Sequence, residues 1–87
     1  MTPIQCVDYD YIEIMCLHQY QVSITLHSGV EVVGHFNQTV IVQHGETKHE
    51  AIRGVTQQQQ PITIILTDIQ RIDVLSANAI FDQLKLN

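Results

Sequence analysis

The sequence contains no tryptophan, two phenylalanines and three tyrosines, so a hydrophobic core must be built mainly from aliphatic side chains. Lys and Arg are also scarce: there are four in all, and none lies before Lys48, whereas five carboxylates do. A protein that binds the phosphate backbone of nucleic acids needs clustered cations. We therefore expect no direct nucleic-acid binding, and the formal net charge of -5 suits a basic partner instead.

The amino terminus and the cysteines indicate the cellular compartment. The first ten residues lack both the positive charge and the apolar run of a secretory signal peptide, and no segment is apolar over a membrane-spanning length. We expect a cytoplasmic protein without membrane association, in which Cys6 and Cys16 are reduced. Their separation is not that of a CxxC motif, so we interpret both as small buried apolar side chains.

The length of 87 residues is enough for one hydrophobic core. We expect a single domain over residues 1–87, with a helix at about 8–19, β-structure at about 20–76 and a tail at 77–87 that could form one or two helical turns. The helix is predicted because Ile12, Met15 and Cys16 recur at spacings of three and four.

Strand-type alternation follows the predicted helix. Apolar and polar side chains alternate over residues 22–26, which predicts a half-buried strand. Ser28–Gly29 has the composition of a two-residue hairpin turn, which would place His27 opposite Val30. Gly34 interrupts the second strand, as a bulge or a tight bend would.

The middle of the chain is predicted to contain two further strands, at residues 39–44 and 51–56. Asn37–Gln38 is interpreted as the turn before the first of them, and residues 45–50 as a polar turn between the two. The glutamine run at residues 57–60 is interpreted as a loop.

The final strands are predicted at residues 62–67 and 69–75. Short connections between strands give hairpins rather than crossovers, so the sheet should be antiparallel. The predicted fold class is mainly β: a small antiparallel barrel or sandwich of five to seven strands with one short N-terminal α-helix.

Motifs of catalysis are missing from the sequence. There is no GxSxG nucleophile elbow and no glycine-rich phosphate loop, so we expect a binding module rather than an enzyme. The five histidines have neither HxH nor HExxH spacing, and we predict no metal site and no cofactor.

The carboxylates of the predicted helix admit two interpretations. Asp10 and Glu13 have the spacing of a capping box, and with Asp8 they could be capping groups and solvated surface. Alternatively, since Asp10 and Glu13 share one helical face, they could present negative charge to a basic partner, with Tyr9 or Tyr11 adding contact area. The residues alone leave both interpretations open.

The segment IQCVDYDYIEIMC, residues 4–16, resembles the N-terminal signature of the Rof (YaeO) family, small bacterial inhibitors of transcription termination factor Rho. The signature is Ile-x-Cys-x-Asp-Tyr-Asp-x-apolar-Glu-x-x-Cys. The matching positions are Ile4, Cys6, Asp8, Tyr9, Asp10, Ile12, Glu13 and Cys16. Over the remainder of the chain the resemblance is one of element order.

The resemblance implies an Sm-like β-fold and a protein that binds the OB-fold domain of Rho, where RNA first loads. Such a protein competes with RNA and antagonises termination. It implies that the acids Asp8, Asp10 and Glu13 bind Rho. We predict that Tyr9 adds contact area beside them, and we expect a monomer. The alternative is an Sm-like RNA-binding module, alone or assembled as a ring, which is suggested by the strand pattern only.

Overall fold

The computed structural model describes residues 6–86, and for Cys6 the backbone only. One N-terminal helix is followed by six strands in one antiparallel sheet; numbered along the chain, the strands lie in the spatial order 4-3-2-1-5-6. The predicted mainly β fold, with five to seven antiparallel strands and one N-terminal helix, is confirmed. The elements are α1 Cys6–His18, β1 Gln21–Leu26, β2 Glu31–His44, β3 Thr47–Thr56, β4 Pro61–Ile65, a 3-10 turn Leu66–Asp68, β5 Ile69–Val74 and β6 Gln83–Lys85.

The turn between β1 and β2 differs from its prediction. The N–H of Leu26 donates to the carbonyl oxygen of Val30 at 2.9 Å, so Leu26 and not His27 lies opposite Val30. The loop therefore has three residues instead of two. Gly29 is its last residue and has a φ of 93°, which is typical of a tight turn completed by a left-handed residue.

A β-bulge, not a turn, lies at Asn37, so the predicted turn at Asn37–Gln38 is wrong. Strand β2 continues through this point, while its pairing with β3 steps from Phe36 opposite Gly54 to Gln38 opposite Arg53. Asn37 is the extra residue of a bulge, which lets a strand bend without ending.

Gly34 is not a bulge, because it pairs in regular register with Val22 on one side and Thr56 on the other. It is required for a different reason: a Cβ there would overlap the carbonyl oxygen of Val55. Glycine is therefore needed for the close approach of two backbones.

The β2–β3 hairpin is longer than predicted. Its ladder runs to His44 opposite Thr47, so the predicted polar turn at residues 45–50 contracts to Gly45 and Glu46. Strand β1 pairs only with residues 31–35 of β2, and β4 only with residues 51–55 of β3. Residues 41–50, hereafter the β2–β3 arm, therefore extend as a two-stranded ribbon beyond the neighbouring strands.

The C-terminal tail forms a strand rather than the predicted helical turns. Strand β6 pairs with β5, with Leu84 opposite Ile72. Leu84 and Leu86 are both buried. Their spacing of two residues favours a strand, because alternate side chains of a strand face the same side.

The core lies between α1 and the sheet. The helical stripe predicted from spacing, Ile12, Met15 and Cys16, is buried, as is Phe36 of β2. Burial, and secondly the negative charge of Glu13, raise the pKa of the Cys16 thiol to about 11. Cys16 is therefore an uncharged packing residue at neutral pH, as predicted. The corresponding prediction for the Cys6 side chain lies outside the described residues.

The described part of the chain includes no helix with the length and apolar character needed to cross a membrane.

Candidate functional site

The four residues predicted to bind a partner all lie on α1. Asp10 and Glu13 are exposed, whereas Asp8 and Tyr9 are half-buried. The helix begins at Cys6, two residues before its predicted start, and Asp8 falls in its first turn. The predicted capping box of Asp10 and Glu13 is therefore wrong, because both residues lie inside the helix and not at its end.

Two adjacent depressions lie on the surface along the contact between α1 and β2. Their volumes are about 400 Å³ and about 650 Å³. Glu13 and Thr39 line both, so the depressions meet at this pair, and we name them together the acidic cleft. The first is completed by Tyr9, Val40, Ile41 and Glu50, and the second by Asp10, Ile14, Cys16, Leu17, Asn37 and Gln38.

The acidic cleft brings together three exposed carboxylates from two elements. Asp10 and Glu13 come from α1, and Glu50 comes from β3. No ion pair or hydrogen bond to these three carboxylates occurs among residues 6–86. Their negative charges are therefore not neutralised within the described fold and are available to an external cation.

Asp73 illustrates the opposite arrangement, on strand β5. Its Oδ2 accepts a hydrogen bond from Nε of Arg71 at 3.0 Å, and its Oδ1 accepts one from Nε2 of Gln83 at 2.7 Å. Within the described residues, a carboxylate is thus paired with a cation on β5, whereas the carboxylates of the acidic cleft have no such partner.

Apolar side chains border the same carboxylates. Leu17 is 77% exposed and Ile41 is 62% exposed, although both are large aliphatic residues. Single exposed apolar residues are common on protein surfaces, but these two line depressions that also carry carboxylates. Such a surface can accept a Lys or Arg side chain, whose aliphatic stem packs on the apolar wall while its head meets the charge.

The two tyrosines considered for partner contact have different surroundings. The ring of Tyr11 lies 5.0 Å from that of Phe81, and Phe81 also contacts Tyr20. The hydroxyl oxygen of Tyr20 accepts a hydrogen bond from the N–H of Ile80 at 3.0 Å. Tyr11 therefore helps hold the C-terminal segment on the helix, whereas Tyr9 lines the acidic cleft.

Sequence reasoning missed Glu50 and Ile41. Glu50 was assigned to a turn, whereas it lies in β3 directly opposite Ile41. The available signal is Gly45, because a two-residue turn at Gly45–Glu46 would extend the hairpin through residue 50. Glu50 then faces the same side of the sheet as Ile41.

The chemical groups of the acidic cleft favour binding by charge and apolar contact. No group of three or more His, Cys, Asp or Glu side chains in the described part of the chain is placed to hold a metal ion. The features present are exposed carboxylates, apolar walls and a half-buried tyrosine. They define a small β-protein with an acidic surface on its helix.

The family of this protein follows from comparison with known proteins. Residues 3–86 match the ROF family model, which is described as "Modulator of Rho-dependent transcription termination", and the chain belongs to that family. The resemblance inferred from residues 4–16 is thereby confirmed. The family is a regulatory one.

A solved structure shows the same fold. YaeO from Vibrio cholerae O395, described as bound to magnesium, is 25% identical to this chain and superposes with a TM-score of 0.75. The similarity covers 91% of this chain and 97% of the Vibrio protein. A comparison with curated proteins found no match.

Proposed function

We propose that this chain acts as one Rof-like domain that inhibits Rho without enzymatic activity. The acidic cleft would bind the OB-fold domain of Rho that first takes up RNA and so block RNA loading. The observation that carries this proposal is the set of three exposed carboxylates, Asp10, Glu13 and Glu50, which pair with no cation among residues 6–86. Membership of a family that modulates Rho-dependent termination supplies the partner.

Electrostatics explains how such a cleft would compete with RNA. A domain that binds the phosphate backbone must itself present Lys and Arg side chains. An anionic surface is attracted to that same region, which raises the rate of encounter, and like charges keep the protein and RNA from occupying it together.

Short-range contacts would add specificity to this attraction. Tyr9 and Ile41 line one side of the cleft and Leu17 the other, so apolar area is available around the charges. Aromatic residues in the desolvated centre of an interface commonly contribute much of its binding energy. We assign Tyr9 this role, and Asp8 a supporting electrostatic role in the first helical turn.

Direct RNA binding, the alternative function, is disfavoured by the distribution of cations. Arg71 is held by Asp73, and Arg53 lies on β3, where its Nε donates to Oγ1 of Thr63 at 3.4 Å. Lys48 lies on the β2–β3 arm and Lys85 on β6 at the far edge of the sheet. Lys85 lies opposite Arg71 in the β5–β6 ladder, but Arg71 is paired with Asp73, and the other two cations lie on β3. The four cations therefore do not form the continuous basic surface that a nucleic acid requires.

Charge reversal tests the proposed function. Asp10→Lys and Glu13→Lys should each weaken binding to purified Rho by about tenfold or more, because each replaces attraction with repulsion. Glu31→Lys is the matched control: Glu31 is exposed at the start of β2 and does not line the acidic cleft. Binding is measured by calorimetry, and RNA release from Rho by fluorescence anisotropy.

Each outcome of that experiment has a clear meaning. Weakened binding in the two cleft variants, with the Glu31→Lys variant unchanged, supports the cleft as the interface. Equal affinity in all variants would contradict it. Retention of Rho binding without RNA release would leave the interface intact but refute the blocking of RNA loading.

A further inference from the structure

Two histidines meet on the β2–β3 arm. His44 ends β2 and His49 lies in β3, and the centroids of their rings are 5.6 Å apart with an interplanar angle of 54°. In the ladder His44 lies opposite Thr47, and His49 lies opposite Val42. Directly opposed residues share a face, so the two histidines are diagonal neighbours on one face of the ribbon.

The histidine pair is separate from the acidic cleft. Ile41 and Glu50 are opposite each other and alternate with Val42 and His49, so they point to the other face of the ribbon. Lys48 shares that other face and does not stand between the two rings. The two surfaces can therefore be occupied and tested independently.

We infer that His44 and His49 form a two-imidazole site for a borderline divalent transition-metal ion such as Zn²⁺. Imidazole nitrogen is a good ligand for Zn²⁺, Ni²⁺ and Cu²⁺. No third His, Cys, Asp or Glu ligand is grouped with the pair in residues 6–86, so water completes the coordination. The site therefore binds weakly compared with a closed structural zinc site.

The ring separation suits a shared metal. Imidazole nitrogen binds zinc at about 2.1 Å, which places each ring centroid about 3.2 Å from the ion and the two centroids about 5.2 Å apart at the tetrahedral angle. The separation of 5.6 Å lies within about 0.5 Å of that value. His44 is exposed, so its ring can turn to close the difference.

The spacing of the histidines along the chain conceals this pair. Five positions separate His44 from His49, which matches neither HxH nor HExxH. They meet only because a two-residue turn and a regular antiparallel register fold the chain back on itself. The prediction from sequence that the histidines hold no metal did not bring His44 and His49 together, because residues 45–50 were predicted to be a turn.

A titration of the full chain without an affinity tag tests this site. Zn²⁺ is added while the imidazole resonances are followed by NMR, and the affinity is measured by calorimetry. The resonances of His44 and His49 should shift together along one binding curve, and the fitted stoichiometry should be one ion per chain. His44→Ala and His49→Ala should each reduce the affinity by about tenfold or more, because a chelate becomes a single ligand.

The controls identify the ligand chemistry. His27→Ala removes an exposed histidine from the tip of the β1–β2 hairpin and should leave zinc affinity unchanged. Mg²⁺ prefers oxygen ligands and should not shift the two imidazoles.

The inferred site is refuted if the wild-type resonances do not saturate by about 1 mM Zn²⁺, a concentration that already corresponds to weak binding. It is also refuted if Mg²⁺ shifts the imidazoles equally, or if the His27→Ala variant loses as much affinity as the other two. The wild-type NMR readout does not depend on whether any variant folds.

Discussion

The two faces of α1 should respond differently to the same kind of truncation. Ile12 is completely buried in the core, whereas Leu17 is 77% exposed beside the acidic cleft. Replacing each with alanine keeps a good helix former, so differences in helix propensity stay small. The contrast therefore isolates packing on one face from surface contact on the other.

The expected magnitude for Ile12→Ala follows from its burial. Truncation of a fully buried Ile to Ala costs about 2–5 kcal/mol, through lost apolar contact and the cavity left behind. An 87-residue domain has a total stability of about 4–13 kcal/mol. A loss of about 3 kcal/mol lowers the Tm of a domain of this size by roughly 12–24 °C.

Leu17→Ala should change stability by no more than about 0.5 kcal/mol, because it truncates an exposed side chain. It should nevertheless weaken Rho binding, since it removes an apolar wall of the proposed interface. Stability is measured by urea and thermal unfolding, and binding by calorimetry with Rho. Equal destabilisation by the two substitutions would refute the assignment of the faces, and unchanged Rho binding by the Leu17→Ala variant would refute the apolar part of the interface.

Two further predictions concern burial. With Cys6 replaced by serine, Cys16 should react slowly with alkylating reagents in the native state and rapidly in urea, and fast alkylation of the native protein at pH 8 would contradict its burial. Burial raises the pKa of the Cys16 thiol from 9.0 to about 11, so the thiol of the unfolded chain ionises first as the pH rises. The free energy of unfolding should therefore fall between pH 9 and pH 11. Gly54→Ala should lower the free energy of unfolding in urea by more than about 2 kcal/mol, because a Cβ at that position meets the His35 carbonyl oxygen. Gly29→Ala should lower it by about 1 kcal/mol, because Gly29 has open space around it but a positive φ. Equal losses in the two variants would contradict the close approach of the backbones at Gly54.

Spacing along the helix was sufficient to predict its buried stripe. Ile12, Met15 and Cys16 recur at helical intervals, and the structure buries all three. The limits of the helix were less accurate, because Asp10 and Glu13 imitate a capping box although the helix has already begun. Capping signals are local, and carboxylates inside the first turns of a helix satisfy the same pattern.

The limits of the strands could be predicted only in part from the local sequence. The alternation of residues 22–26 predicted β1, because one face of that strand is buried and the other is not. Asn37–Gln38 has the composition of a turn, and only pairing with β3 reveals that the strand continues. Glu50 was missed for the same reason: its role depends on the register of a hairpin whose length the sequence did not reveal.

The bulge at Asn37 determines which side chains of β2 reach the acidic cleft. In an uninterrupted strand Phe36, Gln38 and Val40 would share one face. The extra residue shifts by one the alternation of side chains between the two faces of β2. Thr39 therefore lies opposite Ile52, and Ile41 opposite Glu50. Both pairs are on the same face as Phe36 and its partner Gly54. Buried Phe36 anchors the strand in the core, and the bulge then turns Ile41 to the side of the sheet that carries Glu50 and on which α1 packs. One unpaired residue thus joins the helical carboxylates to the β2–β3 arm in a single surface.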